Sequence, residues 1–306
     1  MDILVTIPVT DAQHDKLASL TGDDNMRFIL PKDLTEKDVK GKEIIIGNIP
    51  ISMIPKADSL KWLQLNMSGY EGYPKAMGDR PVTNTRGAFG LAISEHMIGM
   101  LLMLKKRLHQ YRDNQLNSLW RDEGNVTSLE DAVVLIVGLG NIGGDFARKV
   151  KAFSSYTIGI RRNLADKPDY IDEIHPLSDL DTLIPRADVI ALSIPNSNET
   201  YKLMNRKRIF NMKPGSILIN VGRGAAVDTD ALTDAVYAGR IMAALDVTDP
   251  EPLPADHPLW KAKNALITPH ISGFFHLPQT LDRIVDIACE NLVRYKNGEM
   301  LKNIVK

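Results

Sequence analysis

The segment that most constrains how this chain can fold is residues 132–144, where an apolar run leads into a glycine-rich turn and a helix pattern. Residues 132–137 are all apolar and predict a strand buried on both faces, which is the usual condition of a parallel strand. Gly138, Gly140 and Gly143 follow with the spacing G-x-G-x-x-G, and apolar residues then recur at helical intervals. The sequence therefore predicts a strand, a tight turn and a helix in succession.

Each glycine of this turn has a separate physical role in binding a dinucleotide. The first permits the tight turn, the second lets the backbone approach a pyrophosphate, and the third allows the helix to pack closely on the strand. The free N–H groups at the start of the helix then face the phosphates. Glycine turns also occur for structural reasons alone, but between this strand and this helix the motif indicates a dinucleotide site. We expect Asn141 and Ile142, inside the motif, to contact the cofactor as well.

Composition and charge argue against several other classes of protein. The chain has 306 residues, long enough for two domains, and its 44% hydrophobic and 25% charged residues are ordinary for a globular protein. A net charge of −1 gives no reason to expect nucleic acid or an anionic membrane as partner. Cys289 is the only cysteine, so an internal disulfide and a cysteine metal cluster are excluded, and we expect no metal site. Because the N-terminus lacks a signal-peptide pattern, we expect a cytoplasmic location.

Two regions of alternating strand and helix patterns predict two parallel-sheet α/β domains. In the first, strands are predicted at 3–7, 26–30, 43–47 and 62–65, with helices at 12–20 and 35–40. In the second, five further strands follow the glycine turn at 156–160, 189–194, 216–221, 243–247 and 265–268, which makes six in a doubly wound sheet. A single helix from Ser94, its cap, to about Trp120 is predicted between the regions, and a last helix spans 279–296.

The domain prediction follows from where the glycine motif occurs. The first region lacks it and is therefore predicted to bind the substrate, and the last helix is expected to return to this domain. The substrate domain would then be discontinuous, 1–96 with 277–306, and the dinucleotide-binding domain would be 97–276.

Arg161 and Arg162 stand where the choice between the two nicotinamide cofactors is made. An NAD site wants an acidic residue about 20 residues past the glycines, to bind the ribose hydroxyls. This chain instead has two guanidinium groups, which can bind a 2′-phosphate through parallel hydrogen bonds. The sequence therefore predicts that NADP(H) is preferred and NAD(H) possible. The alternative is that the pair is a solvated charge cluster.

Three polar stretches follow predicted strands, at the sheet edge where ligands of such sheets bind. They are residues 220–224, 246–252 and 268–273, and they supply an arginine, acidic residues and a histidine. None is convincing alone, since a histidine such as His270 is more often a packed or surface residue.

Taken together, these motifs resemble the D-isomer-specific 2-hydroxyacid dehydrogenases. The matching segments are Gly138-Leu-Gly-Asn-Ile-Gly143, Asn220-Val-Gly-Arg-Gly224, Asp246 to Pro252, Thr268-Pro-His270, and a Pro-x-x-x-x-Thr turn at Pro195 and Thr200. The resemblance extends from the Ser68-Gly69 loop to the last helix. It implies two Rossmann- or flavodoxin-like doubly wound domains with a cleft between them, and usually a homodimer.

The resemblance also implies a role for each matching residue. Arg223 would bind the substrate carboxylate and carbonyl oxygen, with the backbone of Ser68 and Gly69 as second anchor. His270 would be the acid/base, and Glu251 would orient it. Cofactor contacts are implied for Pro195, Thr200, Val221 and Gly222, and Asp246 would receive the nicotinamide carboxamide. The chemistry agrees, because an alkoxide formed by hydride transfer needs a proton from a group that titrates near neutral pH.

Two positions depart from the family pattern. Ser193 stands where the family commonly has histidine, so one contact near the cofactor is expected to be missing. Arg161 replaces the usual acid, as in the NADP-using minority. Phe274, Phe275 and His276 could line a pocket for a bulky side chain or pack in a core.

The predicted function is NADPH-dependent reduction of a 2-oxo acid to the (R)-2-hydroxy acid, the stereochemistry resting on the resemblance alone. Glyoxylate or hydroxypyruvate fits the cofactor, whereas a branched or aromatic 2-oxo acid would use the two phenylalanines. Two alternatives stay open. A formate-type dehydrogenase is disfavoured by Glu251, which that branch lacks, and a dinucleotide-sensing scaffold could retain the same catalytic residues.

Overall fold

The structure is a computed structural model that describes residues 1–22 and 24–305. It contains two compact units. The first comprises residues 1–88 and the chain from Phe275 onward, and the second is Phe89–Phe274. The first unit is therefore formed by both ends of the chain.

The elements are numbered here in chain order. The first unit begins with β1 (Asp2–Val5), α1 (Asp11–Ala18), β2 (Asn25–Phe28), α2 (Glu36–Val39), β3 (Ile44–Ile46), β4 (Trp62–Gln64), α3 (Tyr73–Met77) and β5 (Val82–Thr83). The second contains α4 (Gly90–Lys105), α5 (Leu108–Leu116), β6 (Val133–Val137), α6 (Asn141–Ala152), β7 (Tyr156–Ile160), β8 (Glu173–His175), α7 (Leu180–Leu183), β9 (Val189–Leu192), α8 (Arg206–Phe210), β10 (Ile217–Asn220), α9 (Thr229–Tyr237), β11 (Met242–Leu245) and β12 (Ala265–Ile267). The chain returns to the first unit with α10 (Pro278–Lys296) and β13 (Ile304–Val305).

The first unit is a flavodoxin-like sheet within its described residues. Its strand order is β13-β5-β4-β3-β1-β2, in which β13 alone is antiparallel to its neighbour. The five parallel strands thus have the order 2-1-3-4-5 of a doubly wound sheet. The three isoleucines of β3 are fully buried, as expected of a strand covered by helices on both faces. The two-residue strands β5 and β13 were too short to be predicted.

The second unit is a Rossmann-like sheet of seven parallel strands in the described chain. Its order is β12-β11-β10-β9-β6-β7-β8. Counted from β6, the first six strands have the order 3-2-1-4-5-6 that is found in dinucleotide-binding folds. The predicted six-strand count was wrong because β8, Glu173–His175, is a half-buried edge strand with two polar residues. The predicted fold class, two doubly wound parallel-sheet domains, is confirmed.

The single helix expected from Ser94 to Trp120 is two helices, α4 and α5. Arg107 separates them with a left-handed backbone, φ 56°, a conformation that ends an α-helix. Ser94 does not cap α4 but lies buried inside it, where its hydroxyl donates to the Leu91 carbonyl oxygen at 3.1 Å and accepts from Lys149 at 2.9 Å. The boundary predicted after residue 96 falls within α4, and the assignment of the units to substrate and cofactor stays a prediction.

Candidate active site

The glycine turn after β6 has the geometry that a dinucleotide requires. Gly138 has φ 97°, and a Cβ there would lie 2.7 Å from the Ser193 carbonyl oxygen. A Cβ on Gly143 would overlap with the Gly138 carbonyl oxygen. Gly140, the residue preceding α6, is exposed and has nothing within 4 Å of a Cβ position. The turn is thus closed towards the protein and open at Gly140, so these residues fit a pyrophosphate at the helix N-terminus, beside Asn141 and Ile142.

Ser193 fixes this turn from the neighbouring strand. It follows β9, which pairs with β6 at the point where the strand order reverses. Its hydroxyl donates to the Gly138 carbonyl oxygen at 2.8 Å. The residue that departs from the family pattern therefore stabilises the first glycine of the motif.

The residues predicted after Ser193 form a compact turn. The Thr200 hydroxyl donates to the Pro195 carbonyl oxygen at 2.8 Å and accepts from the Ser197 N–H at 2.8 Å. Pro195 is exposed and Thr200 is buried. Thr200 therefore closes the turn, and Pro195 is the member that a ligand could reach.

The two predicted phosphate ligands after β7 differ in their surroundings. Arg161 is half-buried, and its Nη2 donates to the carbonyl oxygens of Ala165 and, at 2.9 Å, Asp166. Its Nε is buried without a hydrogen-bond partner among the described residues. Arg162 is exposed. Arg161 thus supports the 163–166 loop and retains one buried N–H without an acceptor, while the side chain of Arg162 is accessible.

The segment after β10 is held by its own side chains. Asn220 Nδ2 donates to the Arg223 carbonyl oxygen at 2.9 Å, and Asn220 Oδ1 accepts from the Gly222 N–H at 3.1 Å. Val221 and Gly222 are buried, and a Cβ on Gly222 would lie 2.6 Å from the Ile194 carbonyl oxygen. Arg223 is half-buried, with Nη1 2.9 Å from the Gly222 carbonyl oxygen.

His270 and Glu251 are brought together at the carboxyl ends of β11 and β12. His270 Nδ1 lies 2.6 Å from Glu251 Oε1, and the two side chains are 49% and 42% exposed. A carboxylate on Nδ1 fixes the imidazole tautomer and leaves Nε2 as the nitrogen that can face a substrate. The pair thus has the geometry of an acid/base oriented by a carboxylate.

Asp246 is 1% exposed, unlike this pair. Oδ1 accepts from the Thr268 hydroxyl at 2.6 Å and the Ile271 N–H at 3.0 Å, and Oδ2 accepts from the Ser272 N–H at 3.1 Å and the Ser272 hydroxyl. A carboxylate has about four lone-pair positions, and here all are used. A nicotinamide contact to this side chain would require one of these bonds to be exchanged.

The remaining predicted substrate residues, Ser68 and Gly69, belong to the first unit. Ser68 is exposed, and its carbonyl oxygen accepts from Asn84 Nδ2 at 2.8 Å. Phe274 is 53% exposed, Phe275 is half-buried and His276 is exposed. The exposed side chain of Phe274 does not belong to a packed core.

Residues 1–22 and 24–305 contain neither a metal-binding cluster nor a membrane-spanning helix. No group of three or more His, Cys, Asp or Glu side chains is arranged to bind a metal ion. No helix there is both long and apolar enough to span a membrane.

Comparison with known proteins identifies the family. The model for the NAD-binding domain of the D-isomer specific 2-hydroxyacid dehydrogenases matches residues 98–272. The chain belongs to this family. The family predicted from the motifs is therefore confirmed.

Relatives of the dehydrogenase align over most of its length. A glyoxylate reductase of Thermococcus litoralis is 32% identical over 86% of this chain and 82% of its own. Glyoxylate/hydroxypyruvate reductase B of Pectobacterium carotovorum is 32% identical over 70% of this chain and 68% of its own. The crystal structure of a family protein from Aeromonas salmonicida is 31% identical and superposes with a TM-score of 0.88, covering 100% of this chain and 98% of that one. The protein is thus an oxidoreductase of 2-hydroxy acids that uses a nicotinamide dinucleotide.

Three side chains of this dehydrogenase that contact Asp246 or its partner Thr268 were not predicted as site residues: His96, Thr268 and Ser272. Thr268 and Ser272 flank His270 in the chain, so their position was a signal, but His96 lies 172 residues from Thr268. The individual roles of Arg223, Glu251 and His270 stay predictions, as do the cofactor contacts.

Proposed function

We propose that this dehydrogenase reduces a small 2-oxo acid to the (R)-2-hydroxy acid with NADPH, and that His270 supplies the proton. The observation that carries the proposal is the 2.6 Å contact between His270 Nδ1 and Glu251 Oε1. When bound, the nicotinamide supplies the hydride to C2 of the substrate. His270 Nε2 then donates a proton to the former carbonyl oxygen, while Glu251 stabilises the imidazolium before transfer.

Arg223 is proposed to bind the substrate carboxylate. A 2-oxo acid is planar and carries adjacent oxygen groups, which a rigid guanidinium fork binds better than an ammonium group does. The Asn220 bonds to the backbone of Gly222 and Arg223 hold the segment that carries this side chain. The backbone of Ser68 and Gly69 is proposed as the second carboxylate anchor.

The preference for NADPH is proposed from Arg161 and Arg162. Two cations after β7 favour a 2′-phosphate, and the buried Arg161 Nε still lacks an acceptor in the described chain. Glyoxylate and hydroxypyruvate are the proposed substrates, because the Thermococcus litoralis and Pectobacterium carotovorum relatives carry these names. A larger 2-oxo acid would use Phe274, which is 53% exposed.

A homodimer is proposed as well. Leu116, Leu119 and Trp120 are 66%, 50% and 106% exposed, in and just after α5. These three lie within five residues of the chain, and contiguous exposed apolar side chains usually mark an interaction surface. A second copy of the chain is the proposed occupant, because the family resemblance implies a dimer.

The test is oxidation of NADPH and NADH by the purified protein with glyoxylate, hydroxypyruvate, and branched and aromatic 2-oxo acids. Turnover with glyoxylate or hydroxypyruvate, faster with NADPH, is expected. Tight NADPH binding without turnover of any of these acids would contradict the proposal and favour a dinucleotide sensor. A preference for NADH would refute only the role of the two arginines and would leave the proposed reaction intact.

The proton donor is tested by His270→Asn, which keeps a polar side chain but removes the imidazole. Turnover is expected to fall by about 100-fold or more, with NADPH affinity unchanged. His257→Asn is the matched control, because the proposed chemistry does not use this histidine of the same unit. Near-normal turnover of a folded, NADPH-binding His270→Asn protein would exclude the assignment.

A further inference from the structure

The backbone of His270 needs an external support. Its φ is 52°, in the left-handed region that L side chains rarely adopt. Residues in such conformations persist where the surrounding structure over-determines them. The His270 N–H donates to the main-chain oxygen of Asp246 at 2.8 Å, which fixes one end of the peptide. The side chain of the same aspartate holds the residues on either side of His270.

The Asp246 carboxylate binds the chain on both sides of His270. Thr268 donates from two residues before, at 2.6 Å, and the N–H groups of Ile271 and Ser272 donate from just after, at 3.0 and 3.1 Å. The Ser272 hydroxyl adds a fourth bond. Since the carboxylate is 1% exposed, these bonds do not compete with water. The segment 268–272 is thus fixed on both sides of His270, whose Nδ1 lies 2.6 Å from Glu251 Oε1.

A histidine on α4 completes the network. His96 Nε2 lies 3.0 Å from Thr268 Oγ1. Because the Thr268 proton is directed to Asp246, Thr268 Oγ1 must accept here, and His96 must donate from Nε2. His96 therefore orients the threonine hydroxyl toward the carboxylate.

We propose that His96, Thr268, Asp246 and Ser272 form a positioning network that fixes His270 against Glu251. The proposal rests on the proposed role of His270 as proton donor. It gives Asp246 a function beside the nicotinamide contact that the family resemblance implies, because its carboxylate accepts four hydrogen bonds from the residues on both sides of His270. His96, Thr268 and Ser272 are then positioning residues for the reaction.

The first test compares Thr268→Val with Thr268→Ser. Valine has the shape of threonine without the donor, whereas serine keeps the hydroxyl. Thr268→Val is expected to lower kcat for NADPH-dependent glyoxylate reduction roughly 10-fold or more, since small displacements of a catalytic group have effects of this size. KM for glyoxylate and Kd for NADPH should stay within about twofold, and Thr268→Ser should retain wild-type kcat. Ser272→Ala provides a second removal of a donor, should Thr268→Val fail to fold.

The matched control is Ser216→Ala. Ser216 is 2% exposed and donates to the Lys213 carbonyl oxygen at 2.7 Å, but it lies at the amino end of β10, whereas His270 follows the carboxyl end of β12. Ser216→Ala is expected to keep wild-type kcat. A loss of kcat in Ser272→Ala but not in Ser216→Ala would therefore report the network and not the general cost of removing a buried hydroxyl.

The second test asks whether the network acts through His270. In the His270→Asn background, adding Thr268→Val should leave the residual turnover unchanged, because the group it positions is gone. An equal loss in both backgrounds, wild-type kcat in Thr268→Val, or a loss confined to NADPH affinity would each overturn the proposal. The His270→Asn protein alone decides the proposed function: if it turns over normally, the proton donor is misassigned, and the network fails with it.

Discussion

Arg162 is exposed at the end of β7, whereas the guanidinium of Arg161 donates to the main chain of its own loop. Replacing Arg161 would therefore disturb the loop as well as remove a charge. Arg162 can be replaced without losing a described hydrogen bond. The choice between NADPH and NADH is best tested at this residue.

We expect Arg162→Ala to weaken NADPH binding by about tenfold or more, because a charge-assisted hydrogen bond to a phosphate contributes roughly 1.5–3 kcal/mol. NADH affinity should change less than about twofold, since NADH has no 2′-phosphate. Both are measured by titration of nicotinamide fluorescence. Arg206→Ala, which removes an exposed arginine paired with Asp234, is the control. Equal weakening of both cofactors would contradict a phosphate contact.

At the scale of elements, the edge strand β8 carries a cluster of charged groups. Glu173 is bound by Arg186, by His175 Nε2 at 2.9 Å and by Tyr156 at 2.9 Å. These hydrogen bonds lower the pKa of Glu173 from 4.5 to about 2, and the bond from Arg186 has the largest effect on that pKa. Glu173 and then Asp179 raise the pKa of His175 above its usual 6.5. The edge of the sheet is therefore held by groups whose charge depends on pH.

The sign of the pH dependence follows from these two shifts. The contribution of Glu173 to the free energy of unfolding is complete above pH 4.5 and is lost as the pH falls toward about 2. The His175 contribution is complete below pH 6.5 and is lost as the pH rises through its raised pKa.

We expect Glu173→Gln to lower the free energy of unfolding by about 1–2 kcal/mol at pH 6, a value reduced for the partial exposure of the cluster. The difference from wild type should shrink as the pH falls below about 4.5, because the wild-type carboxylate becomes protonated. Urea unfolding followed by circular dichroism at several pH values measures it. Glu130→Gln, at an exposed carboxylate, is the control. A difference that stays constant between pH 6 and pH 3 would rule out this account.

Elements whose signals are local could be predicted, and those fixed by distant contacts could not. The apolar run and the spacing of Gly138, Gly140 and Gly143 specify strand, turn and helix within thirteen residues. The structure has β6 and α6 at these positions. The break at Arg107 has no such signal, because arginine is a good helix former. β8 was missed because polar residues on an edge strand resemble a loop.

The same distinction holds for the site. Glu251 and His270 could be proposed because each belongs to a short motif at a strand end. The groups that donate to Asp246 could not be proposed, since they are 22 to 26 residues away in the chain and His96 contacts Thr268 across 172 residues. Only the tertiary fold places α4 against β11, the strand that pairs with β12.

At the scale of the whole molecule, the segment from α5 to Val126 is ordered by hydrogen bonds and carries exposed apolar side chains. Tyr111 donates to Asp122 at 3.1 Å, and Asn114 donates to Glu123 at 2.6 Å. Leu116, Leu119 and Trp120 nevertheless remain exposed. An ordered segment that keeps large apolar groups in water is stabilised when a partner covers it.

We expect Trp120→Asp to convert a homodimer into a monomer, because a charge at the centre of an apolar interface is buried without a partner. Light scattering after gel filtration should give twice the chain mass of 34.0 kDa for wild type and 34.0 kDa for the variant. Met300→Asp is the control, since Met300 is 82% exposed but belongs to the first unit. A wild-type protein of 34.0 kDa would exclude the dimer itself. A dimeric Trp120→Asp protein would exclude only this surface, because the two copies must then associate through residues that the substitution leaves intact.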